Sequence, residues 1–138
     1  MAATTTPSDA GTAGVETAIA LTALLLVVFF AVGAVRITGT NGDVGTAARA
    51  AARAAASERT AGSGRSLAGA VAGQILADRG LACIGGPAIE TSGAGVPGGV
   101  VTVTVTCNVD LGDVVFAGFP GSRTVSASAT EYVDALRG

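Results

Sequence analysis

Histidine, lysine and tryptophan are missing from this 138-residue chain, and its aromatic residues are four phenylalanines and one tyrosine. Without histidine or lysine, general acid–base and nucleophilic chemistry lose their usual bases, so Ser122, Ser126 and Ser128 have no partner of the kind that activates a hydroxyl. The tight acidic pair Asp110 and Asp113 has no further ligand near it in sequence and reads as a surface turn rather than a cation site. An enzyme, a metal and a cofactor are therefore not expected. Charge is scarce as well. All 8 basic residues are arginine, and a formal net charge of -2 is spread without a basic stripe to follow phosphates, so nucleic acid is not an expected partner. Cysteine is limited to Cys83 and Cys107, which make neither a zinc quartet nor a CxxC redox pair. An extracytoplasmic disulfide is the simplest account of them; two buried, reduced thiols are the alternative. A bond closing a loop of roughly 24 residues contributes about 3 kcal/mol in the loop-entropy picture.

Long apolar runs are absent everywhere except at residues 17–35, which carry no charge, follow Glu16 directly and end at Arg36. A helix through this run rises about 28 Å, close to the hydrocarbon thickness of a bilayer. Leu21, Leu24, Leu25, Leu26, Val27, Val28, Phe29 and Phe30 crowd its middle and leave no polar face to turn toward water. About 100 residues remain after Arg36, enough for one compact domain with a modest core.

Beyond the run, Gly39, Thr40, Asn41, Gly42 and Asp43 favour turns, and the helix is expected to kink or break there. Residues 44–59 are alanine-rich, with Arg49 and Arg53 one turn apart, which predicts a helix with a smooth, small-residue surface and a charged stripe. A glycine-bearing gap at 61–64 precedes a second periodic stretch, with Leu67, Val71, Ile75 and the neighbouring Leu76 on one face, ended by Asp78, Arg79 and Gly80. The period then drops to two. Val101, Val103, Val105, Cys107 and Val109 alternate with Thr102, Thr104, Thr106, Asn108 and Asp110, which predicts a half-buried strand with Cys107 on its apolar face. A second strand is expected at 123–133, where Val125, Ala127 and Ala129 alternate with Thr124, Ser126, Ser128 and Thr130. Residues 93–99 and 118–121 read as turns. The expected fold is α+β: a long N-terminal hydrophobic, transmembrane helix continuing or kinking into an Ala-rich helix, then a small antiparallel sheet with one disulfide.

The stretch Gly11, Thr12, Ala13, Gly14, Val15, Glu16, the apolar run behind it, and Ala47, Ala48, Arg49, Ala50, Ala51, Ala52, Arg53 together resemble TadE-like pseudopilins, minor subunits of tight-adherence (Flp-type) pilus systems. The likeness is specific over residues 11–53 and looser beyond them, where the cysteine-paired, strand-rich end closing on Glu131, Tyr132, Val133 and Asp134 is similar to actinobacterial-type members. It implies cleavage by a prepilin peptidase between Gly11 and Thr12, with Glu16 becoming the fifth mature residue. It also implies a register role for Glu16: a carboxylate at the edge of a span is costly unless a cation meets it, and a neighbouring subunit's freed amino group is such a cation. The alternative is that Glu16 only suits the positive end of the helix dipole. Leu21, Leu24, Leu25, Val28 and Phe29 would then pack among other pilin helices.

The implied organisation is a leader at 1–11, a pilin-like transmembrane helix at 12–36, a helical stalk at 37–79 and an extracytoplasmic β-rich domain at 80–138. The implied partners are other pilins and pseudopilins, the Tad membrane assembly machinery, the prepilin peptidase and membrane lipid. No lysine or arginine precedes Arg36, and Arg36, Arg49, Arg53, Arg59 and Arg65 all follow the run. Charge bias alone would put the C-terminal domain inside, against the outside placement that the disulfide and pilin topology require. Two other readings stay open. One is a secreted domain behind a signal peptide cut after Ala31, Val32 and Gly33, which an acidic, arginine-free leading segment disfavours. The other is a permanent single-span protein whose outer domain binds a partner.

Overall fold

The computed structural model describes residues 10–114 and 120–136. Most of the expected leader and part of the 118–121 turn lie outside the described residues. Among the described residues there are three helices and three strands: α1 (Ala10–Ala56), α2 (Ala61–Asp78), β1 (Ala88–Ser92), β2 (Val100–Asp110), α3 (Leu111–Val114) and β3 (Ser122–Tyr132).

Helix α1 runs for 47 residues without interruption. The break expected at Gly39–Asp43 does not occur. Thr38 and Thr40 donate their hydroxyls to the carbonyls of Ala34 and Arg36 at 2.9 and 3.1 Å, and Thr46 donates to Gly42 at 2.9 Å, so the polar side chains of this stretch are absorbed by the helix itself. Thr40 and Val44 are also buried, and that burial offsets the roughly 1 kcal/mol that each glycine costs a helix.

The chain leaves α1 at Ser57 and re-enters a helix at Ala61. Gly62 and Gly64, expected in the gap, belong to α2, because Thr60 caps that helix: its extended backbone lets the side-chain oxygen accept from the Ser63 amide at 3.2 Å. At the other end Gly80 takes a positive φ of 69°, and the amides of Leu81 and Gly80 donate to the carbonyls of Leu76 and Ala77. This is a Schellman closure, and it ends the helix where the Asp78, Arg79, Gly80 signal predicts.

The two helices meet through small residues. The buried ridge of α2 is Gly64, Ala68, Ala72 and Leu76, set against Ala47, Ala48, Ala51, Ala52 and Ala55 of α1 in one core cluster. Of the expected face of Leu67, Val71, Ile75 and Leu76, Leu76 lies on this ridge, while the other three sit one residue away from it and are half-buried. Alanine and glycine win because they let the backbones approach. Gly64 shows how closely: a Cβ there would stand 3.0 Å from the Ala94 Cβ and 3.1 Å from the Ala55 carbonyl oxygen.

The sheet is antiparallel with order β1-β2-β3. Val101, Val103, Val105, Cys107 and Val109 point inward and close the core on the helices, as their alternation predicts. Strand β1 was not expected; it pairs Ala88 through Ser92 with Thr106 through Thr102. On the outer face hydroxyls pair across β2 and β3, Thr102 with Thr130 at 3.0 Å, Thr104 with Ser128 at 2.6 Å and Thr106 with Ser126 at 3.1 Å. One core cluster takes in α1 from Val44 onward, α2 and the sheet.

Candidate functional site

The functional features of this chain are distributed along α1 and at the point where α1 enters the core. The N-terminal half of α1 stands clear of the domain. It is long and apolar enough to cross a membrane, and only 6% of its apolar window is buried. Leu21, Leu24, Leu25, Val28 and Phe29 are between 49% and 59% exposed, and Phe30 is 79% exposed. Thr17 and Thr22, two hydroxyls of this half, donate to the carbonyls of Ala13 and Ala18 at 2.7 and 2.9 Å. Such back-bonding satisfies both of these side-chain donors within the helix.

Gly11 and Thr12 fall in the first turn of α1, and Glu16 follows them, exposed and without an ion pair among the described residues. Glu16 does not lie in the first turn of the helix as it stands, where the dipole would favour a carboxylate most. Removal of the residues before Thr12 would bring it close to the new end.

The face that Val15, Ala18, Ile19, Thr22, Ala23 and Leu26 form is a shallow groove of alternating small and large side chains. At helical spacing it continues through Gly33 and Thr40 into the buried face of Val44, Ala51 and Ala55. The same side of α1 therefore faces the core above and is open below. Leu21, Leu24, Leu25 and Val28 occupy a different face.

At the junction, Arg36, Gly39, Thr40 and Asp43 of α1 line a cavity of about 360 Å³ with Arg79, the residue just past α2, and with Val109 and Asp110 at the end of β2. Arg79 Nη1 donates to Asp43 Oδ1 at 2.7 Å. The Asp110 carboxylate accepts from the Gly112 amide at 2.7 Å, which starts the single turn of α3 where a plain turn is expected. Among the described residues, no group of three or more acidic, histidine or cysteine side chains has the arrangement of a metal site.

Cys83 and Cys107 form the disulfide expected for them, with a Cα–Cα separation of 5.2 Å. It joins the inner face of β2 to the segment between α2 and β1. Comparison with protein families, curated proteins and solved structures finds no match to this chain.

Of the candidate site residues named from the sequence, the fold joins Cys83 to Cys107 from separate segments. Glu16 and the leucines remain spaced along a free helix. Sequence reasoning missed the junction cavity, because Arg36, Arg79 and Asp110 come from three separate segments and only the fold makes them neighbours.

Proposed function

We propose that this chain is a structural subunit, a TadE-like minor pseudopilin of a tight-adherence, type IV-like pilus, taking part in pilus assembly, surface adhesion or secretion. In this reading the apolar half of α1 is held in the membrane with its N-terminus cytoplasmic and the disulfide-bonded domain extracytoplasmic. A prepilin peptidase cuts between Gly11 and Thr12. The Tad assembly machinery then moves the subunit from lipid into or beneath the filament, where other pilins and pseudopilins pack against Leu21, Leu24, Leu25, Val28 and Phe29.

The observation that carries the reading is the division of α1 into two halves of one unbroken helix: an exposed apolar half led by Glu16, and a half buried under the sheet. A subunit that must slide out of a bilayer while keeping its domain attached needs that continuity.

The test is the mature N-terminus, from intact mass or terminal sequencing of the protein recovered from its own cells. Thr12 is the expected result. An N-terminus at Ala34 would make the chain a secreted domain. An intact Met1 would favour a permanent membrane anchor with a binding domain outside, and the processing step would fall.

A further inference from the structure

The junction cavity carries opposite charges that do not neutralise each other. Four charged side chains line it, and two of them, Arg79 and Asp43, are paired at 2.7 Å. That leaves Arg36 and Asp110. Both line the same space of about 360 Å³, yet they form no ion pair with each other, and Arg36 has no hydrogen-bond or ion-pair partner among the described residues. A cation and an anion on the walls of one cavity, with room between them, fit a ligand that carries both signs.

The position of the cavity narrows what that ligand is. Arg36 is the residue that closes the apolar run, and Val32 and Val35, in the turn before it, are 41% and 71% exposed. The cavity therefore opens at the level where acyl chains end and headgroups begin. Gly39 contributes no side chain, and its Cβ direction is empty to 4 Å, which keeps the helix surface open at this level. Thr40 and Val109, both buried, form the floor of the cavity.

We infer that the cavity holds the phosphoethanolamine headgroup of a membrane lipid, with the phosphodiester on Arg36 and the primary ammonium on Asp110. Guanidinium suits a phosphate through parallel hydrogen bonds, and a primary ammonium offers a carboxylate three donors. A phosphoglycerol headgroup would meet Arg36 equally well but would offer Asp110 neutral hydroxyls in place of a cation. A trimethylated choline would offer Asp110 charge without a donor. This inference rests on the membrane reading of α1. It goes beyond that reading by assigning a lipid-specific contact that would be broken each time the subunit leaves the bilayer.

The test uses the full chain in neutral detergent micelles, with thermal unfolding followed by circular dichroism. Added phosphatidylethanolamine should raise the midpoint by about 5 °C at lipid roughly tenfold above its Kd. Phosphatidylglycerol, phosphatidylcholine and diacylglycerol should each give less than half of that shift. Arg36→Gln and Asp110→Asn should each abolish the preference while leaving the lipid-free midpoint in place; Arg36 is exposed, and the new asparagine keeps an oxygen for the Gly112 amide. Arg36→Lys should retain part of it.

Equal shifts with all four lipids, or an equal or larger one with phosphatidylglycerol, overturn the assignment. A shift of the same size from free phosphoethanolamine would overturn the lipid as its source. Flotation of the wild-type chain with phosphatidylcholine vesicles separates the two levels: flotation without headgroup preference sinks this inference alone, and failure to float sinks the membrane reading with it.

Discussion

The guanidinium of Arg79 sits 2.7 Å from the carboxylate of Asp43, tying the end of α2 to the stretch of α1 whose sequence is least suited to a helix. The two residues are 36 positions apart and hold the helical layer together at the end from which the apolar half of α1 emerges. Their side chains are 53% and 22% exposed, so water and salt weaken the attraction. A double-mutant cycle with Asp43→Asn and Arg79→Gln should return a coupling of about 0.5 to 1 kcal/mol that shrinks in high salt. A coupling indistinguishable from zero would mean that packing alone carries α1 through Gly39 and Gly42.

The disulfide should matter more. A bond between cysteines 24 residues apart removes chain entropy from the unfolded state, worth about 3 kcal/mol. The Cys83→Ser/Cys107→Ser double variant should lose that much in a denaturant titration, and reduction of the wild-type chain should reproduce the loss. Equal stability of the oxidised and reduced forms would contradict it.

Two glycines of α2 should respond in opposite directions. Around Gly73 a Cβ would meet nothing within 4 Å, so Gly73→Ala should add about 0.5 to 1 kcal/mol through helix propensity. At Gly64 the nearest atoms are a backbone oxygen at 3.1 Å and the Ala94 Cβ at 3.0 Å, so Gly64→Val should cost about 1 to 3 kcal/mol by prying α2 from α1. Chemical unfolding of both variants decides this; a gain at Gly64 would show that the helices have slack.

Glu16 should be dispensable for folding. It is exposed and far along α1 from the core, so Glu16→Ala should leave the unfolding midpoint within about 1 °C of wild type, since surface changes of this kind are close to neutral. Under the proposed pseudopilin function, the same variant should accumulate in the membrane and be missing from sheared filaments. Normal incorporation would remove the register role assigned to Glu16.

Much of this fold was legible because its signals are local. The alternation of valine and threonine over residues 100–110 needs no context to specify which side faces the core, and Cys107 on the inner side makes a bridge to Cys83 plausible before any coordinates. Features that depend on a partner were not legible. Gly39 and Gly42 argue for a break by propensity, and it takes burial of Thr40 and Val44 to overrule them. The large side chains Leu67 and Val71 suggest the buried face of α2, whereas contact between alanine-rich helices favours the smallest residues, so the ridge lies one position on. Strand β1 has 5 residues, too few to establish a period, and owes its existence to pairing with β2. The junction cavity is a product of the tertiary fold, visible only once residues 36, 79 and 110 converge.

The unbroken course of α1 also has a mechanical meaning. A helix of 47 residues is about 70 Å long, and its last third is clamped between α2 and the sheet. The free part extends about 35 Å from Arg36 to Ala13, so a tilt of the domain by about 10° would sweep the tip through roughly 6 Å, more than one helical turn's rise. Without a hinge at Gly39 to absorb it, a pull on the sheet reaches the free end of the rod as displacement: the domain is a handle, and α1 is its lever.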